Sequence, residues 1–357
     1  MDLKKIYRKI GFPRLIISTF LVLLLIIATA LKIPMSGIVQ DILTRFGMNA
    51  VLVLAMVPSI QCGVGINFNL PLGVIFGLIG ALVSMEFGLK SWTGFFVAIL
   101  IAVPLSTIAG ILYGLMLNKV KGQEMTVGNY FGYSIVSFMC IFWLIAPFKN
   151  PEMTWAIGGS GLRVTLSMAS TIGGVLDNAF RFEVYPSWMP KWLVSFLEIV
   201  PLGLILTFAV LAAIVWIFSK TKLGTSMRVA GSSFKFASSN GVNVDKYRIL
   251  GITLSTVLAA IGIIIYSQSF GFVQLYNAPL YVALPAAASI LIGGASLRKA
   301  KIIHVIIGTF LFQGLLVVAL PVINILSEGS MAEIIRIVIS NGIILYALTR
   351  KEGETAW

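Results

Sequence analysis

Residues 95–117 read Phe-Phe-Val-Ala-Ile-Leu-Ile-Ala-Val-Pro-Leu-Ser-Thr-Ile-Ala-Gly-Ile-Leu-Tyr-Gly-Leu-Met-Leu, with no charged side chain throughout. An α-helix needs about 20 mostly apolar residues to cross the hydrocarbon core of a bilayer. This stretch has that length, and it is not alone. Working outward, comparable runs occur at Leu15–Leu31, Gly47–Gly65, Leu70–Phe87, Val127–Pro147, Val194–Phe218, Ile249–Gln268, Leu280–Leu297, Ile302–Leu320 and Met331–Leu348. The expected fold class is therefore all-α: a polytopic membrane protein of about ten transmembrane helices, forming one transmembrane domain over residues 1–357. Composition agrees. Of the 357 residues, 58% are hydrophobic and 11% charged, with a mean hydropathy of +0.99, whereas soluble domains carry about 25% charged residues. A soluble enzyme, a disordered chain and a disulfide-stapled secreted domain are excluded.

The net charge of +13 has a definite distribution. With ten spans and a cytoplasmic N-terminus, the C-terminus is cytoplasmic too, and most Lys and Arg fall in the inner segments. Those are Lys4–Arg14, Lys119–Lys121, Lys220–Arg248, Arg298–Lys301 and Arg350–Lys351. Lys32, Arg45, Lys90, Lys149, Arg163, Arg181, Lys191 and Arg336 fall outside, balanced there by acids. Cytoplasmic loops of membrane proteins are enriched in Lys and Arg, so the basic excess marks the cytoplasmic face and not a nucleic-acid partner. The basic start, the apolar run and Ala28-Thr29-Ala30 also fit a secretory signal peptide. The ten-span charge map favours a first span instead, and a mature N-terminus at Leu31 would overturn that.

The expected spans contain almost no ionisable groups at membrane depth, where proton relays and ion pathways need them. Glu86, Glu198, Glu333 and Arg336 lie near outer ends, and His304 follows the inner basic cluster. Cys62 and Cys140 stand in different spans without metal-ligand spacing, so neither a disulfide nor a metal site is expected. No phosphate-cradling G-x-x-x-x-G-K-[ST] motif occurs, so no catalytic site is expected and energy would come from another subunit. Uncharged polar residues are densest in Ser59–Gly73, where Gln61, Asn67 and Asn69 sit among Gly63, Gly65 and Pro71. Broken backbone at membrane depth must line a cavity or be buried in protein. The stretch reads as a helix break beside a substrate path, or as a short cytoplasmic turn. Asn49-Ala50 followed by Pro58 and Gly65 is echoed by Asn277-Ala278, Pro285 and Gly293, which suggests a parallel repeat and adds Asn277 to the candidate path. Such neutral groups suit a hydroxyl-rich solute.

Ser219–Arg248 is the longest inner segment. Ser232 and Ser233 are N-cap residue types and Gly241 a helix stop. Phe234 and Ala237 would share a face of a short helix, with Lys235 turned away. The segment reads as an amphipathic helix on lipid headgroups or as a docking helix for a cytoplasmic partner. On the outer side, Phe148–Leu193 is the longest loop. Its Trp155, Tyr185, Trp188 and Trp192 read as interfacial anchors, and Ser160–Val175 as an external helix.

Thr221-Lys-Leu-Gly224, Arg228-Val-Ala-Gly231, Phe236-Ala237, Asn240-Gly-Val-Asn-Val244 and Lys246, running directly into an apolar span, resemble the coupling-loop signature of the ribose/branched-chain-amino-acid class of ABC importer permeases. Gly293-Gly-Ala-Ser-Leu297 with Ile307-Gly-Thr309 is similar to that family's second signature, and Gly65–Gly73 to its early Gly-Ile-Asp/Asn motif. Two departures concern the substrate: Arg298-Lys-Ala-Lys301 replaces a glycine-rich run, and Asn67 stands where sugar permeases commonly carry Asp. The resemblance implies no cofactor and several partners. These are cytoplasmic ABC ATPase subunits, an extracellular or periplasmic substrate-binding protein meeting the outer loop, a second permease as homo- or heterodimer, and the lipid of a bacterial inner membrane. It implies a coupling segment containing Gly231, Ser232, Ser233, Phe234, Phe236, Ala237 and Gly241. The expected cargo is a small polar nutrient: a sugar, nucleoside or amino acid. A secondary transporter or channel working without an ATPase is the alternative. A membrane enzyme would need a catalytic constellation that the sequence does not display.

Overall fold

The computed structural model describes residues 12–155, 161–181, 190–326 and 330–348. They are mostly helical: α1 (Phe12–Ala30), α2 (Met35–Leu54), α3 (Met56–Gln61), α4 (Leu70–Glu86), α5 (Ser91–Lys119), α6 (Glu124–Ile145), α7 (Lys191–Ile199), α8 (Leu202–Lys220), α9 (Lys222–Ser232), α10 (Phe234–Ser239), α11 (Val244–Phe270), α12 (Ala283–Ile292), α13 (Ile302–Leu326) and α14 (Ser330–Leu348). Among the described residues, six helices are long and apolar enough to cross a membrane: Met35–Gln61 (α2 running into α3), α5, α6, α8, α11 and the Ile302–Ile325 part of α13. Four shorter apolar helices accompany them, at Arg14–Ala30, Leu70–Glu86, Ala283–Ile292 and Ile337–Leu348.

The core is built around α11, which packs on α5, α4 and α2. Apolar lipid supplies little hydrophobic drive between helices, so small residues that let backbones approach are what bind them. A Cβ at Gly110 would stand 2.8 Å from Thr253 Cα, and one at Gly114 2.9 Å from Ile249 Cα. On α4, Gly73 and Gly77 meet the Thr256 and Ala260 carbonyls of α11 in the same way. A second cluster joins α1, α2, α12 and α13, with Ile17, Leu21, Leu24 and Ala28 of α1 buried in it. The N-terminal apolar run is therefore packed against α2, α12 and α13.

Several expectations are corrected. The helix expected at Gly47–Gly65 begins at Met35, so Asp41 and Arg45, assigned to an outer loop, stand within it. The run Val194–Phe218 is broken at Val200–Pro201 into α7 and α8. Proline lacks an N–H and drives the preceding residue out of the helical region, and Val200 is accordingly extended. Only Ala283–Ile292 of Leu280–Leu297 is helical, because Gly294 takes a positive φ of 85°. The helix expected at Ser160–Val175 is absent among the described residues. Thr165–Ser167 instead forms β1, antiparallel to β2 (Phe272–Gln274), with Leu166 opposite Val273. The paired Asn-Ala positions are not locally alike: Asn49 lies in mid-helix, whereas Asn277 lies in a turn. Tyr185 and Trp188 lie outside the described residues; Trp155 and Trp192 are exposed.

Substituting Gly110 by Leu should drive α5 off α11 and cost about 1–3 kcal/mol or more, as overpacking of a tight contact does. Detergent-solubilised G110L should give less folded protein and a lower melting temperature. Gly342→Ala, where a Cβ meets nothing within 4 Å, should melt no lower than the parent chain.

Candidate functional site

Polar side chains from five helices converge on one place. A recess of about 190 Å³ is bounded by Arg45 and Asn49 of α2, Tyr266 of α11, Ser289 of α12, Gln313 of α13 and Ser340 of α14. It adjoins a wider recess of about 580 Å³, also walled by Arg45 and Ser340 and reaching Asp41, Pro321 and Asn341. Tyr281 borders both. Because Tyr266 is near the α11 end that leads into β2, the recesses lie toward the sheet's end of the bundle. Asn49 donates its amide to the Arg45 carbonyl at 2.9 Å, and Ser289 Oγ to that of Pro285 at 2.8 Å. Arg45 is the eleventh of the 20 residues of α2, roughly 15 Å along the helix axis at 1.5 Å per residue. The residue is exposed.

The four path residues expected from sequence lie elsewhere. Gln61 donates to the Ala300 carbonyl at 3.0 Å. Asn67 donates to Ser255 Oγ at 2.9 Å and accepts from the Asn69 backbone N–H at 3.1 Å. Asn69 is fully buried with neither amide atom hydrogen-bonded, and Asn277 is exposed beside the lining residue Ala278. None of the four walls either recess. The Ser59–Gly73 break is thus buried in protein, the condition under which such a break is tolerated. A sequence signal for the lining of the recesses did exist: Asp41, Arg45 and Asn49 recur every four residues, a polar stripe on one face of a helix.

At the opposite end, α9 and α10 form a bent surface element. Thr221 Oγ1 accepts from the Gly224 N–H at 3.2 Å and starts α9. Ser233, extended at φ −155°, ends α9 and accepts from the Phe236 N–H at 3.3 Å to start α10. Ser232 instead donates to the Val229 carbonyl at 3.0 Å, within α9. Ala237 is buried against Ala230 and Val244. Phe234 does not share that buried face: it is 53% exposed, Phe236 61%. Lys121 lies 5.2 Å over the Phe234 ring. Gly241, at φ 74°, closes the element. Gly231 presses on the end of α3: a Cβ there would overlap the Gln61 carbonyl oxygen and stand 2.6 Å from Gly63 N.

Residues 38–348 match the family described as branched-chain amino acid transport system / permease component. The chain belongs to this family. It is an ABC importer permease subunit, a transport component and not an enzyme, resident in a bacterial inner membrane. An autoinducer 2 import system permease protein LsrC of Photorhabdus luminescens is 24% identical over 79% of this chain and 76% of its own. Its counterpart in Photorhabdus laumondii is 27% identical over 62% and 67%, and one from Yersinia pestis 32% identical over 32% of each. No solved structure matches.

In this permease the start of α11, which follows the bent element, is tied to α5 and α6 by a buried polar cluster. Arg248, near the start of α11 and 7% exposed, pairs with Glu124 of α6 at 2.5 Å and donates to Asn118 of α5 at 3.0 Å. Asn118 in turn donates to the Asp245 carbonyl at 3.0 Å. Removing one partner of a buried pair strands the other charge, costing about 3–5 kcal/mol. Arg248→Ala should therefore lower the melting temperature markedly. Lys121→Ala, which removes the exposed pair with Asp245, should change stability by only about 0–1 kcal/mol. Equal melting of the two variants would show that the cluster does not hold these helices together.

Proposed function

We propose that this permease forms half of the membrane pathway of a binding-protein-dependent importer for a small polar, sugar-like nutrient. In this reading ten helices cross the membrane, the six long ones together with the four shorter apolar ones, and both termini are cytoplasmic. The recess walled by α2, α11, α12, α13 and α14 is the solute path. The segment from Gly231 to Gly241 docks in a cleft of a cytoplasmic ABC ATPase, with Phe234 and Phe236 as contact residues. A substrate-binding protein delivers cargo to the outer face, and a second permease, identical or related, completes the pathway. The relatives named for autoinducer 2 import support a sugar-like solute more than an amino acid.

The observation that carries the reading is the contact of Gly231 with Gln61 and Gly63. It sets the proposed docking element directly on the end of α3, and α3 continues the rod whose Arg45 and Asn49 wall the recess. Movement of α9–α10 driven by ATPase closure therefore bears on a wall of the solute path. Alternating access needs such a connection, because rigid elements rock around a fixed site.

Co-expressed with its cognate ATPase, the permease should co-purify with it, and Phe234→Asp with Phe236→Asp should abolish both co-purification and solute uptake. The exposed positions of these rings imply that the double variant keeps its melting temperature. Retention of the ATPase by the folded double variant would refute the docking assignment.

A further inference from the structure

Arg248 and Arg45, each within a long apolar helix, stand in opposite circumstances. Arg248 is paired with Glu124 and hydrogen-bonded to Asn118, so its charge is balanced by protein. The Arg45 side chain, by contrast, makes no hydrogen bond or ion pair with any described residue, although it lies well inside α2. Among the described residues it is the one charged residue walling the 190 Å³ recess. Asp41, one helical turn nearer the start of α2, walls only the wider recess, and no ion pair joins it to Arg45.

This arrangement has a chemical consequence. A guanidinium offers five N–H donors and no acceptor, and its planar fork suits carboxylate and phosphate oxygens. Arg45 is exposed, and at short range attraction between unlike charges still favours such an oxygen there. An anionic group entering the smaller recess would neutralise Arg45, a neutral sugar would leave its charge unbalanced, and a cation would be repelled. The recess volume corresponds to about six waters at roughly 30 Å³ each, a compact solute. Asn49, Ser289, Gln313 and Ser340 supply the neutral donors and acceptors that hydroxyl groups need.

We propose that Arg45 makes this recess a site for a small polyhydroxylated solute bearing an anionic oxygen group, a carboxylate or a phosphate, in preference to the neutral sugar of the same size. The proposal rests on the recess being the solute path. It alters the expectation of a neutral solute, which followed from reading the spans as free of charge; that reading placed Arg45 in a loop.

The test uses the full-length chain in detergent with a thiol reporter, Asn49→Cys, and Ser340→Cys as a second reporter should the first fail to fold. The untouched chain, with its native Cys62 and Cys140, sets the baseline. Labelling rates with a sulfonate-bearing and a trimethylammonium-bearing methanethiosulfonate are each normalised to the rate with a free thiol. The anionic reagent should react about tenfold faster than the cationic one, a modest effect for one charge at short range. Arg45→Lys should keep that preference and Arg45→Gln erase it, a distinction that a purely structural role for Arg45 would not produce. Gluconate or glucose 6-phosphate should slow labelling, and whichever protects identifies the anionic group, while glucose should not. Equal protection by glucose, or a rate ratio unchanged in Arg45→Gln, would overturn the proposal. The labelling needs no ATPase, so failure of the ATPase to co-purify would count against the importer reading and leave this result standing.

Discussion

Helix α11 reaches α4 and α5 at backbone distance because both present glycine to it. Within a bilayer, the apolar surroundings reward this contact little, so its stability rests on dispersion between atoms that glycine permits to touch. With Gly110 and Gly114 against Thr253 and Ile249, α5 and α11 are held as one body. Gly73 and Gly77 add α4 to it. That body fixes where Arg248 meets Glu124 and Asn118 at one end of α11, and where Tyr266 joins the recess near the other.

The two ends of the molecule are then mechanically related. The bent α9–α10 element is tied to the bundle in two places, at the Gly231–Gly63 contact and through the packing of Ala230 and Ala237 on Val244. The first leads into α3 and α2, the second into α11. Both routes end in helices that wall the recess. Close-packed interiors transmit displacement instead of absorbing it, so the surface element has a stiff connection to the walls of the recess.

Polar residues within the spans divide by what they touch. Asn67 bridges to Ser255 and Gln61 to the Ala300 carbonyl; each fastens irregular backbone that would otherwise be costly in a membrane. Arg248 is neutralised within the protein. Arg45, Asn49, Gln313 and Ser340 face a shared space instead. Residues of the same chemical type thus fasten backbone in one part of the bundle and line an open recess in another.

Apolar run lengths determined the helical character of the chain, and the motifs from Thr221 to Thr309 pointed to its family. Both are local properties, since hydropathy sums over about 20 neighbouring residues and a motif is contiguous. Ser233 as a helix cap and Gly241 as a stop were legible for the same reason. The role of a polar residue was not. Asn67 and Ser255 lie 188 positions apart, and no local pattern reveals that they meet. The densest polar stretch drew attention to Gln61, Asn67 and Asn69, while the polar stripe of Asp41, Arg45 and Asn49 lay ahead of the expected helix start. Tertiary structure decided the start of α2, the pairing of β1 with β2 and the membership of the recess. Each depends on which face of one helix turns toward distant helices, a choice made by packing, and sequence alone leaves that rotation undetermined.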